Sequence, residues 1–180
     1  MRRTLSVART SAATLGLAAL VATVSLAMPA AADSNAYGNS GWEPTPSAPL
    51  DVPAVFCTFP VHVGIAKDAV KGRVLANYPD GSVKQEEFNG PLILPLTNVD
   101  TGKSINVNAS GSAVVDFGQD GSQAWHIAGP VLFGFRTGSN TNHQAGLFLL
   151  AGKFTVEITA TGRTVTEAHG DDRDLCGALS

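Results

Sequence analysis

The stretch Phe56-Cys57-Thr58-Phe59-Pro60-Val61-His62-Val63-Gly64-Ile65 decides how this chain is read. Taken at every second position, one side carries Cys57, Phe59, Val61, Val63 and Ile65, all apolar. The other carries Phe56, Thr58, Pro60, His62 and Gly64, mostly small or polar. Successive side chains leave a strand on opposite faces, so this alternation predicts a half-buried strand. Cys57 is one of only two cysteines, and the other, Cys176, lies close to the end of the sequence. If the two are joined, the first strand is tied to the last turn and everything between folds back on itself.

What precedes the stretch reads as a leader and a linker. Arg2, Arg3 and Arg9 form a positive start, Ala12–Met28 is uncharged, and Ala30-Ala31-Ala32 offers a small-residue cleavage site before Asp33. That pattern predicts a signal peptide over 1–32. A retained anchor is the alternative on length alone, but the Ala, Ser and Thr content and the adjoining cleavage site favour removal. Arg2-Arg3 leaves Sec and twin-arginine export both open. Loss of the leader leaves nine basic residues against fifteen acidic ones, a net charge of −6. An acidic chain without basic clusters excludes nucleic acid, and a cleaved leader leaves no stable membrane anchor. Residues 33–54, with Pro44, Pro46, Pro49 and Pro53, read as a disordered or extended linker carrying Tyr37 and Trp42. In an exported chain two cysteines most economically pair with each other, which predicts a Cys57–Cys176 disulfide.

Residues 55–180 suffice for one domain with a core. Short alternating runs follow one another at close spacing, separated by Tyr78-Pro79-Asp80-Gly81, Asn89-Gly90-Pro91, Asn98–Gly102, Gly118–Gly121 and Ala160–Arg163. Ile105, Val107 and Ala109 alternate with polar neighbours, as do Phe154, Val156 and Ile158. Pro95 within Leu92–Thr97 predicts an edge or bulged strand, and Gly152 a bulge or sharp bend. Thr137–Ala145 is the longest loop. No window of the domain has helical periodicity. The expected fold is an all-β antiparallel meander of about ten strands. A closed β-barrel is preferred, because closure removes the edges and brings Cys57 to Cys176, with a β-sandwich as the alternative.

Cys57-Thr-Phe-Pro-Val61, Leu96-Thr-Asn-Val-Asp-Thr-Gly-Lys103, Gly146-Leu-Phe-Leu-Leu-Ala-Gly-Lys-Phe154 and Asp174-Leu-Cys176 together resemble a group of small secreted actinobacterial proteins of unknown function. The resemblance spans the domain but not the linker, and it implies export and paired cysteines. It implies no activity, cofactor or site residue.

Chemistry-bearing motifs are sparse. Asp171, Asp172 and Asp174 after His169 lack the ligand set of a calcium loop and read as a solvated acidic turn. The four histidines show no zinc spacing, and no Gly-x-Ser-x-Gly elbow occurs. Glu86, Glu87, Asp116 and Glu157 lie on strands, with Asp116 and Glu157 directed away from the apolar face and nothing fixing the spacing of a catalytic pair. His62, His126 and Arg136 lie opposite the apolar sets of their strands and form a polar patch if those strands register. The leading expectation is a secreted, extracellular, non-enzymatic binding module without cofactor, its partner a cell surface or a small apolar ligand. The alternatives are a small-barrel carrier whose apolar cavity includes Trp125, and a small-barrel enzyme using His62 or His126.

Overall fold

The computed structural model describes residues 41–180, so the leader and the first part of the linker lie outside the described residues. In chain order the strands are β1 (Glu43–Pro44), β2 (Leu50–Val52), β3 (Val61–Val63), β4 (Lys67–Asp68), β5 (Lys71–Asn77), β6 (Val83–Asn89) and β7 (Leu92–Asn98). After them come β8 (Ser104–Asn108), β9 (Ser112–Phe117), β10 (Gln123–Ala128), β11 (Val131–Phe135), β12 (Gly146–Ile158) and β13 (Arg163–Asp174). A single helical turn, α1 (Leu175–Leu179), follows β13. All ladders between these strands are antiparallel.

The strands form two open sheets, which corrects the expected barrel. The eight-stranded sheet runs β1-β5-β6-β9-β10-β12, with β11 and β13 also on β12; the five-stranded sheet is built round β7, flanked by β3 and β4 on one side and β8 on the other. Neither closes on itself. The reason lies in where the bridge is anchored. Cys57 precedes β3 of the smaller sheet, while Cys176 follows β13 of the larger one. The Cys57–Cys176 disulfide (Cα–Cα 5.4 Å) therefore ties one sheet to the other instead of joining the two edges of one sheet. The meander is interrupted as well. The chain leaves the large sheet at Asn89–Pro91, forms the β7–β8 hairpin in the small one, and returns so that β9 pairs with β6.

Local readings shift with this topology. Only Val61–Val63 of the opening stretch is paired, yet Cys57, Phe59, Val61 and Val63 are all buried. Burial alternates through Phe56–Pro60 without a ladder, because no partner strand lies beside it. β7 is central, not an edge. Pro95 is accommodated because β3 stops at Leu96 and β4 begins at Ile93. Its missing N–H faces that gap, where its carbonyl accepts from Gly64 N at 2.8 Å. The acidic turn expected near the C-terminus is strand: Asp171, Asp172 and Asp174 pair with Ala151, Leu150 and Phe148. Their exposed side chains carry no periodic signal, and the pairing is made by backbone alone.

Two cores result. In the first, Val61, Leu96 and Val107 of the small sheet pack with Cys57, Phe59, Leu147, Leu175 and Leu179. The second is made entirely by the large sheet: Ala113, Val115, Ile127, Phe133, Phe135, Phe148, Leu150, Phe154 and Val156. The first half of β12 is thus buried on both faces, which is why Leu147–Leu150 is uninterruptedly apolar while Lys153–Ile158 alternates. A sheet surrounds its own core only if it bends. A straight strand from Leu147 to Ile158 would run about 36 Å. Yet Trp125, opposite Val156, meets the ring of Phe133, opposite Phe148, at a centroid distance of 6.0 Å. Arg163, opposite Ile158, donates to the carbonyl of Gly134, opposite Leu147. Gly152 and Gly170 face each other across the hairpin at φ 133° and 152°, and the register of β12 with β13 shifts further along, between Thr155 and Val156. A Cβ on either would lie within 2.3 Å of a backbone carbonyl oxygen opposite, so no other residue fits.

Candidate functional site

The outer face of the large sheet, away from the second core, gathers its polar side chains. Register across the ladders sets Arg73, Glu87, Val114, His126, Thr155 and Glu167 in one row, each from a different strand. His126 Nε2 lies 2.9 Å from Asp116 Oδ2, and Gln85 Nε2 donates to Asp116 Oδ1 at 2.7 Å. Thr155 Oγ1 lies 3.4 Å from His126 Nδ1 and donates to Glu167 Oε2 at 3.1 Å. Arg73 grips Glu87 at 2.6 Å, and its guanidinium sits 4.6 Å from the ring centroid of Trp42, contributed by the segment ahead of β1.

Small residues make the middle of this face low. A shallow depression of about 240 Å³ is lined by Glu87, Ser112, Val114, His126, Ala128, Lys153, Thr155 and Glu167. A second, of about 460 Å³, lies toward the hairpin tips, against Tyr78, Lys84, Asp116, Gln123, Ala124 and Glu157. Both tips repeat Asp-Gly-Ser. Ser82 and Ser122 donate to Asp80 and Asp120, and those bonds, chiefly from the hydroxyls, hold both carboxyls below their usual range. Glu86 faces the other way, toward the second core; burial pushes its carboxyl up, and Glu43 nearby adds to that.

Asp116, His126 and Thr155 stand in the order carboxylate, imidazole, hydroxyl, yet the arrangement does not make a nucleophile. The Thr155 proton is directed to Glu167, not to the imidazole. Thr155 is paired with His126 of β10 and with Glu167 of β13, and the register with β13 shifts between Thr155 and Val156. Among the described residues no three His, Cys, Asp or Glu side chains are grouped to hold a metal.

The three residues of the expected patch sit apart in the topology. His62 is on β3 of the small sheet, where its Nδ1 lies 2.6 Å from Asp51 of β2. His126 is on the outer face of the large sheet. Arg136 is exposed just after β11, where its carbonyl accepts from Ser139. Each of the four histidines has a carboxylate beside it, the others being His143 with Asp172 at 2.8 Å and His169 with Glu167 at 3.5 Å. His143, read only as a loop residue, is largely buried: its ring stacks on Phe135 at 4.3 Å and meets Phe148 edge-on at 4.5 Å. It closes the loop after β11 over the second core. Asn142 joins in by bonding both backbone groups of Val165. Lys153, Thr155 and Glu157 were legible as one wet side of a strand. Their meeting with Glu87, His126 and Glu167 was not, since strand order has no local signature.

The fold and site define an all-β domain of two antiparallel sheets, cross-linked near both ends, with no evident catalytic machinery among the described residues. Among those residues no helix is long and apolar enough to cross a membrane. Compared with protein-family models, curated proteins and solved structures, the chain finds no match.

Proposed function

We propose that the protein is an extracellular, non-enzymatic binding module of the actinobacterial envelope, and that the outer face of its large sheet is the binding surface. One observation carries the reading: polar side chains from β6, β9, β10, β12 and β13 converge on an open depression floored by Ser112, Val114 and Ala128. The leader-like start and the disulfide support an oxidising destination. Neither depression is an enclosed apolar cavity of the kind a small-molecule carrier requires, and no barrel lumen exists to hold one.

The test is binding of fluorescently labelled protein to intact actinobacterial cells. Ala128→Trp fills the depression from an exposed position, and should lower saturable binding at least tenfold. Val99→Glu, on an exposed turn of the small sheet, should leave it unchanged. Equal binding by wild type and Ala128→Trp would refute the assignment of the face. The mature chain should begin at Asp33 on N-terminal sequencing.

A further inference from the structure

We infer that the groove around His126 binds a neutral, hydroxyl-rich chain, an oligosaccharide; the inference rests on the reading of that face as the binding surface. The argument begins with charge. Arg73 is matched by Glu87, and Asp116 is hydrogen-bonded to His126 and Gln85. Glu167 takes the Thr155 proton and lies beside His169. Charges compensated over a few ångströms project little field, so a ligand gains little from net charge of either sign. A polyanion would need a basic stripe, and Lys153 and Lys84 do not make one beside Glu87, Asp116, Glu157 and Glu167. An extended peptide would add to a sheet edge through its backbone, whereas this groove lies on a face. An apolar ligand would need enclosure that neither depression gives.

What the groove does offer is donors and acceptors in alternation. Lys153 donates, Glu87, Asp116 and Glu167 accept, and Ser112 and Thr155 do both. Hydroxyl groups, each at once donor and acceptor, can enter between such pairs and exchange neutral bonds for charge-assisted ones. Strand spacing repeats these groups about every 4.8 Å across the sheet. The two depressions border one another through the Asp116, Ala124 and Glu157 row, which favours a chain of units over a single sugar.

The experiment is amide-shift mapping and calorimetry on the disulfide-bonded protein, with neutral hexasaccharides of glucose in α and β linkage, of mannose and of N-acetylglucosamine as probes. Dextran sulfate and an unstructured peptide serve as comparison. At least one neutral chain should move the amides of Ser112–Phe117, Gln123–Ala128 and Lys153–Glu157 saturably. His126→Ala and Ala128→Trp, each checked for an unchanged melt, should weaken that binding at least tenfold. Silence from every neutral chain up to about 5 mM, the weak end of single-site affinity, overturns the inference. So does binding of the sulfated chain or the peptide alone. If Ala128→Trp still abolishes cell binding in that event, only the ligand class has failed. If it does not, the face itself has.

Discussion

Removing the disulfide tests the topology most directly. Cys57 and Cys176 are 119 positions apart, so the bridge closes nearly the whole domain into one loop. In the chain-entropy treatment such a loop restricts the unfolded chain by about 5 kcal/mol at room temperature. Unfolding entropy of about 2.1 cal/mol/K per residue over the described residues converts this to a fall of about 17 °C, or about 8 °C if strain and residual structure halve it. The native state has its own stake: Cys57 is 4% exposed in the first core, and α1, too short to stand alone, is held there by Leu175 and Leu179 as well as by the bridge. The measurement is a Cys57→Ala, Cys176→Ala double variant against wild type, by thermal and urea melts, with thiol titration of the wild type. We expect no titratable thiol, a melt lower by at least several degrees and a steeper urea dependence, since an unlinked chain exposes more surface. A fall under about 2 °C at unchanged urea dependence would refute the reasoning, because the bridge would then not restrain the unfolded chain.

Asn98→Ala should cost about 1–3 kcal/mol in a urea melt: the buried amide donates to the Leu179 carbonyl at 3.1 Å and accepts from the backbone of Asp100 and Thr101. Arg163 lies over Phe133 with its guanidinium pulled down to about 10, chiefly by burial and then by Arg136. A base whose pKa falls on folding keeps its proton more tightly in the unfolded chain, so stability rises with pH above about 10. Between pH 9 and 11 the wild type should gain about 1 kcal/mol relative to Arg163→Met, and a flat difference would contradict this. His62→Ala should change stability by no more than about 0.5 kcal/mol, because its partner Asp51 is an exposed one; a loss of several kcal/mol in the same assay would mean the strand is inside out.

The individual strands were largely written in alternation: Ile105 to Ala109, Phe154 to Ile158 and the buried set Cys57 to Val63 all fall as the pattern requires. The Asp-Gly tips at Asp80 and Asp120 were equally plain, because a turn is decided by four neighbouring residues. What could not be read was pairing. The preference for closure assumed that Cys57 and Cys176 stand on first and last strands of one sheet, but nothing local shows that β7 and β8 desert to a second sheet. For the same reason Glu167 and Glu87 stayed invisible as members of one face, being brought together by four intervening ladders. Arg163, seen as the end of a turn, and His143, seen as a loop residue, owe their burial to partners distant in sequence, Phe133 and Gly134 for the one and Phe148 for the other.

The β12–β13 hairpin bears on how the protein comes into being. Residues 146–179 supply the strand shared by both cores, its long partner, the helical turn and the second half of the disulfide. A chain made from its N-terminus can pair β5 with β6 or β9 with β10 early, but until β12 arrives those hairpins lack the Phe148, Leu150, Phe154 and Val156 part of the second core. Folding therefore waits on residues 146–179 for many of its long-range contacts. The native state then assembles late and all at once, with its most distant contacts among the last to form.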